Sequence, residues 1–258
     1  STDGVKWESE ALFRFTPKSF RDLKPMVASK GSYMDLRDPR ICITPDGRLM
    51  LNSALRYSDG HDWQSMADWQ PMAWFSKDGK TWGQPVLIGE HQYWLWRVTW
   101  HRGIAYGVGR IADQRIPRLY KSADGRDFDA LVKDNDFFPP GPSGRPLGGN
   151  EATLRFSDDD TAYCLLRCEY LQKHGHLGVS RPPYTQWEWK DLGVRIGGPN
   201  MIQLPDGRFV AGVRLYDKKH RTALCWLDPK AGKLRESLTL PSGGDTSYAG
   251  LVLHDGLL

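Results

Sequence analysis

One pattern recurs three times in the chain. Ser1-Thr2-Asp3-Gly4-Val5-Lys6-Trp7, Ser76-Lys77-Asp78-Gly79-Lys80-Thr81-Trp82 and Ser122-Ala123-Asp124-Gly125-Arg126-Asp127-Phe128 all read Ser-x-Asp-Gly-x-x-aromatic. Asp-Gly is a hairpin dipeptide, because glycine tolerates positive φ. The Ser and Asp side chains can hydrogen-bond the turn's own amides. The aromatic ring then plugs the turn into apolar material beneath it. A repeated unit implies a repeated architecture, and its phase places distant residues on one face.

A second series interleaves with the first. Ile41–Leu51 reads as strand, Pro-Asp-Gly turn and strand, and Thr153–Tyr163, Asn200–Val210 and Gly250–Gly256 share the form, with a looser copy at Arg97–Gly107. Each unit is therefore a hairpin, a long loop, and a strand running into the Ser-x-Asp-Gly turn and out again. Units begin near residues 37, 94, 151, 198 and 247. Ser180–Trp187 reads as a decayed copy of the turn, and Asp228–Gly232 replaces it in the unit from 198. Four-stranded units repeating at roughly 45 to 60 residues are the blades of a β-propeller. Four whole blades and two partial ones predict an all-β, six-bladed β-propeller cut at both ends. A five-bladed ring is the alternative. The whole of 1–258 reads as one domain.

Composition supports this and excludes other classes. The 11 Trp, 27 Gly and 17 Pro fit many short strands joined by tight turns, and 40% hydrophobic residues suffice for a core. The net charge of +4 is mild and spread out, which argues against nucleic acid as a partner. No apolar run approaches the ~18 residues that span a bilayer. The four cysteines, Cys42, Cys164, Cys168 and Cys225, have no zinc spacing and read as small buried apolar groups. No secretory leader is visible at the start.

In a propeller, the loops entering the innermost strand and leaving the second strand share one face. The Ser-x-Asp-Gly turns lie on the other and act as scaffold. Seven residues beyond Gly103, Asp160 and Gly207 stand Arg110, Arg167 and Arg214, with Arg56 a near match in the first unit. On the entering side, Arg37, Glu151 and Tyr248 hold comparable positions before their turns. Several guanidiniums converging on one mouth repel each other unless an anion or acidic side chains join them. Guanidinium also grips carboxylates through two parallel hydrogen bonds. An acidic small-molecule ligand is the natural completion.

These features resemble the sialidase (neuraminidase) superfamily. The Ser-x-Asp-Gly words are similar to its Asp-boxes, also called BNR repeats, on a six-bladed propeller. Leu36-Arg37-Asp38-Pro39 resembles the Phe-Arg-Ile-Pro motif, with Asp38 in the isoleucine's place. Asn150-Glu151-Ala152-Thr153 with Arg167 resembles the segment of the catalytic glutamate and second arginine. Arg214 would be the third arginine, Arg110 an additional one, and Ser247-Tyr248-Ala249-Gly250 the segment of the nucleophilic tyrosine.

The resemblance implies an exo-glycoside hydrolase that removes a terminal acidic sugar with retention, using a tyrosine nucleophile. Tyr248 would attack and Glu151 would take its proton, with adjacent arginines favouring phenolate. Arg37, Arg167 and Arg214 would hold the substrate carboxylate. Asp62 is the first choice for the acid/base residue, with Asp59 and Asp68 as alternatives on the same loop. Trp63, Trp69, Trp94 and Trp96 offer either a sugar-stacking subsite or core packing. Phe137–Arg145 is placed to form a pocket wall. No metal or other cofactor is implied, and the His174-Gly175-His176 pair lacks metal-site partners. The implied partner is a sialylated or other acidic glycan, the protein being a monomer, secreted or periplasmic. Competing readings are an enzyme for another anionic sugar, such as a uronic acid, and a propeller that binds glycans or proteins without catalysis.

Overall fold

A computed structural model describes residues 5–13, 33–58, 68–111, 116–138, 140–141 and 143–258. The strands fall into four antiparallel units of four. The first comprises β1 (Tyr33–Ile43), β2 (Leu49–Ser58), β3 (Asp68–Ser76) and β4 (Val86–Leu87). The second comprises β5 (Tyr93–His101), β6 (Ile104–Ile111), β7 (Pro117–Ser122) and β8 (Asp129–Val132), followed by a one-turn helix α1 (Asp134–Phe137). The third is built from β9 (Gly149–Phe156), β10 (Ala162–Cys168), β11 (His174–Ser180) and the first half of β12 (Glu188–Gln203). The second half of β12 opens the fourth, with β13 (Phe209–Leu215), β14 (Arg221–Asp228) and β15 (Lys233–Thr239).

The third and fourth units thus form one seven-stranded sheet, with β12 as the shared strand. Its Glu188–Arg195 half pairs with β11, and Ile196–Gln203 pairs with β13. The chain leaves the outer edge of one blade and reaches the inner edge of the next without a break in pairing. Inner strands β1, β5, β9 and β12 pack in sequence around a channel, a propeller-like arrangement.

Apolar residues fill the spaces between blades. Met50, Ala73 and Phe75 of the first meet Tyr93, Leu95 and Tyr120 of the second. Tyr106, Val108 and Leu119 meet Leu154, Cys164 and Leu166. Leu165 and Leu177 meet Met201, Phe209 and Val213. A blade packed on both faces leaves little room for polar residues. Hence β13, Phe-Val-Ala-Gly-Val-Arg-Leu, is buried along its whole length. Phe137 and Phe138 are also buried, against Trp187 and Trp189 of the third blade. They are a plug between blades rather than a pocket wall. All four cysteines are free thiols.

The repeated turns behave as their residues dictate. Gly79 N donates to Ser76 Oγ at 2.9 Å, Thr81 N to Asp78 Oδ1 at 2.7 Å, and Trp82 Nε1 to the Gly79 carbonyl at 2.9 Å. Gly125 N and Asp127 N make the matching bonds to Ser122 Oγ and Asp124 Oδ1, at 2.9 and 3.0 Å. In the decayed copy Ser180 Oγ still donates to the Gln186 carbonyl, and Trp187 Nε1 to that of Tyr184. In the fourth blade Asp228 Oδ1 accepts from the amides of Lys230 and Ala231, both at 2.9 Å. The first copy differs: residues 1–4 lie outside the described residues, and Trp7 is exposed instead of plugging a turn.

Beyond β15 the chain returns to the channel. Arg97 Nη2 and Asn200 Nδ2 each donate to the Ala249 carbonyl at 3.0 Å. Residues 247–253 therefore lie where a fifth inner strand would begin. On the far side of that segment Ile41 and Ile43 of β1 are exposed, so among the described residues the ring is open there.

Candidate active site at the channel mouth

The inner strands share one irregularity at one level. In each, two residues oppose a single partner residue: Asp38-Pro39 against Ser53, Trp96-Arg97 against Val108, Asn150-Glu151 against Arg167, and Gly198-Pro199 against Val213. Such bulges re-aim side chains. Here they turn consecutive residues of every blade toward the mouth of the channel. Ser247 and Tyr248 complete the series, both at positive φ (119° and 63°).

Glu151 is the hub and is buried. Its Oε1 accepts from Arg167 Nη1 at 2.7 Å and from the Tyr248 hydroxyl at 3.3 Å, and its Oε2 accepts from Gly198 N at 2.7 Å. Gly198 is needed as glycine: its φ is +52°, and a Cβ would stand 2.8 Å from Tyr248 N. Arg167 also pairs with Glu169. Burial works against its charge, and the two carboxylates outweigh that, holding the guanidinium above its ordinary range.

Arg214, also buried, is anchored to the Thr246 carbonyl, the Tyr216 hydroxyl and Asp245. Its guanidinium lies 5.3 Å from the centre of the Tyr248 ring. Burial pushes the Tyr248 hydroxyl above its usual range and Glu151 adds to this, while Arg167 and Arg214 pull the other way without prevailing. Tyr248 is therefore a neutral phenol whose proton already points at a carboxylate. Arg167 and Arg214 do favour phenolate, as expected, but desolvation is the larger effect and leaves the phenol protonated.

The bulge in β1 decides which of its arginines faces this group. Arg37 turns to Asp35, at 2.5 Å. Arg40 instead is buried at the mouth, 4.8 Å from the Trp96 ring centre and 5.8 Å from that of Tyr248. Asp38, at φ 55°, lies 3.9 Å from Arg40. Burial raises the Asp38 carboxyl; Arg40 lowers it, Glu151 raises it further, and Arg37 and Arg110 lower it. Arg110 itself stacks 5.1 Å over Trp94. Sequence spacing thus brought Glu151, Arg167, Arg214 and Tyr248 together but missed Asp38 and Arg40. Pro39 was the available signal, since proline inside a strand marks a bulge or an edge.

Trp69, Trp94 and Trp96 form a row ending at Tyr248, with ring centres 4.3, 5.3 and 5.9 Å apart in turn. All three are buried, so they pack the mouth from beneath and offer no open stacking platform. Asp59, Asp62 and Trp63 lie outside the described residues, and of Asp68 only the backbone, at the start of β3, is described. Among the described residues no group of histidine, cysteine and acidic side chains could hold a metal ion. What converges is a carboxylate bound to a phenol, a second, partly buried carboxyl, and several guanidiniums. That set can transfer protons and bind an anion.

No protein-family model matches the chain, and no curated protein matches it. Solved structures do. A protein of unknown function from Dyadobacter fermentans superposes with a TM-score of 0.65 at 15% identity, over 83% of this chain and 67% of that one. The GH32 β-fructofuranosidase of Bombyx mori gives 0.59 at 17% identity, over 86% of this chain and 53% of that one. A thermostable family-43 glycoside hydrolase gives 0.55 at 12% identity, over 80% of this chain and 73% of that one. The chain therefore spans about half the length of the silkworm enzyme. At these identities the likeness is one of fold: this chain has the propeller-like architecture on which those glycoside hydrolases are built.

Proposed function

We propose that the chain carries the active centre of a retaining exo-glycoside hydrolase of sialidase type, removing a terminal acidic sugar. The observation behind this is the hydrogen bond from Tyr248 to Glu151, flanked by Arg167 and Arg214. The anomeric carbon of a sialic acid bears a carboxylate, which repels an attacking carboxylate; a neutral phenol avoids that repulsion. Tyr248 Oη would bond to the anomeric carbon as its proton passes to Glu151 Oε1. Asp62 would protonate the departing oxygen, then take a proton from the water that attacks the anomeric carbon, while Glu151 returns its proton to the Tyr248 oxygen as that bond breaks. Arg110 and Arg214, joined by Arg40 in the place expected of Arg37, would grip the carboxylate. Arg167, already engaged by Glu151 and Glu169, is a positioning residue for the base.

A second reading rests on Asp38. It is partly buried at the same mouth, its carboxyl raised by burial and by Glu151. Asp38 and Glu151 would then be the two carboxyl groups of an ordinary glycosidase, with Tyr248 only orienting Glu151. Such a pair suits a uronic acid or a neutral sugar, and two of the structural neighbours bear the names of a β-fructofuranosidase and a family-43 glycoside hydrolase. We also read the ring as five-bladed rather than six, because one arginine side chain of the second blade reaches the fifth segment across the channel.

Fluorogenic sialosides, uronides and neutral glycosides separate these readings. Sialoside hydrolysis that drops about 10²–10⁴-fold in Tyr248→Phe supports the first. Full activity of Tyr248→Phe together with a comparable loss in Asp38→Asn supports the second. No turnover of any of these by the folded protein, with retained glycan binding, leaves a binding propeller.

A further inference from the structure

Below the mouth, the inner strands line an open-sided cavity of about 280 Å³ bordered by Arg40, Arg97, Arg155, Thr99, Thr153 and Asn200 among others. Its polar neighbours are satisfied among themselves. Thr99 Oγ1 donates to the Leu154 carbonyl, Thr153 Oγ1 to Asn200 Oδ1, and Asn200 Nδ2 to the Ala249 carbonyl. The three arginines are not. Arg155 Nε donates to the Met201 carbonyl at 2.6 Å and Arg97 Nη2 to that of Ala249, both neutral acceptors. Arg97 Nε and Arg40 Nε and Nη2 are buried with no hydrogen-bond partner. Arg40 alone has acidic groups near it, Asp38 and Glu151 at the mouth. The charges acting on Arg97 are Arg40 and Arg155, both repulsive; with burial, the larger effect, they pull its pKa down to about 9. It stays charged at neutral pH.

We infer that the channel below the mouth is a binding site for a small tetrahedral oxyanion of the phosphate or sulfate class, held by Arg40, Arg97 and Arg155. Buried cations persist when a partner neutralises them. Among the described residues no carboxylate serves Arg97 or Arg155, which leaves that place to an anion from solution. Guanidinium offers paired N–H donors that match such an oxyanion. At about 30 Å³ per water in the liquid, the cavity admits an oxyanion with several waters. By linking arginines from the first, second and third blades, the anion would pin those inner strands to one another. The site lies beneath the mouth and stands whether or not Tyr248 is a nucleophile.

The test is thermal unfolding of the whole chain in sodium phosphate against sodium chloride at matched ionic strength. A ligand that binds only the folded state raises Tm as its concentration passes its Kd. The expected result is a saturable rise of several degrees in millimolar phosphate, abolished in Arg97→Gln and weakened in Arg97→Lys. Should Arg97→Gln not fold, Arg155→Lys serves in its place, with a rightward shift of the phosphate titration of about tenfold. The inference is overturned if the wild type shows no saturable rise beyond that in chloride, or if the arginine variants titrate as the wild type does.

Discussion

Arg167 and Arg97 are both partly buried arginines on neighbouring blades, one at the mouth and one in the channel beneath it. Arg167 lies between Glu151 and Glu169 and is held above the ordinary guanidinium range. Arg97 lies between Arg40 and Arg155 and is pulled down to about 9. The difference comes from what the bulges present. In the third blade the bulge offers a carboxylate opposite an arginine. In the second it offers the arginine itself, facing guanidiniums from the adjacent blades. The mouth is thus a closed electrostatic circuit around Glu151, and the channel is an open one.

Breaking each circuit is the sharpest test of the contrast. Glu151→Ala strands the partly buried Arg167 with only Glu169 and should cost about 3–5 kcal/mol of stability, the usual penalty for removing one partner of a buried pair. Arg97→Met removes a charge that has no carboxylate partner among the described residues, and in phosphate-free buffer its effect should fall within about 1 kcal/mol of zero, of either sign. Urea midpoints at pH 7 read both. Equal losses in the two variants would mean that Arg97 has a carboxylate partner after all.

A smaller effect probes how the mouth holds its phenol. Gly198 donates its amide to Glu151 and lets Tyr248 pass close by. Gly198→Ala forces a Cβ onto the Tyr248 backbone at a positive φ, with an expected cost of about 1–3 kcal/mol. It should also move Tyr248 off Glu151. Any hydrolytic activity should then fall by more than the stability loss explains, with kcat affected before KM. Gly212→Ala is the control on the same sheet, since its nearest contact would be 3.6 Å away and ordinary.

The blade phase was legible because the turns carry side-chain chemistry that repeats: Ser76 and Ser122 each accept from the turn glycine's amide, Ser180 still bonds its own turn by donating to a carbonyl, and Asp228 keeps the part that Asp78 and Asp124 play. That phase was enough to set Glu151 beside Arg167 and Tyr248. The bulges were not legible. Strand alternation with a period of two carries through a regular strand and fails wherever two residues oppose one. This is why Arg37 was expected at the carboxylate site while Arg40 is the arginine beside Tyr248. It is also why the channel arginines Arg97 and Arg155 drew no attention: their neighbours come from other blades, and no spacing within one blade reveals them. The shared strand β12 was hidden for a similar reason, since the break expected near residue 198 is a bulge within continuous pairing.

The rim of the fourth blade supplies a third environment and the smallest effect. Arg221 there forks onto Glu236, Nε to Oε1 at 3.0 Å and Nη2 to Oε2 at 2.6 Å, where Arg167 makes a single bond to Glu151, and it does so at an exposed carboxylate. The Arg221 hydrogen bond and that of Thr239 hold the Glu236 carboxyl down to about 2, against an ordinary value of 4.5. A carboxyl depressed in the folded state stabilises the protein above its unfolded pKa. That stabilisation is lost as pH falls from about 4.5 toward about 2. Solvent screening limits it to less than about 1 kcal/mol. Glu236→Gln should therefore lower the urea midpoint slightly at pH 6, with the gap to wild type narrowing by pH 3, closing toward pH 2, and shrinking in 1 M salt. A gap as large as that for Glu151→Ala would mean that geometry, rather than burial, sets the strength of these pairs, and the contrast between mouth and rim would fail.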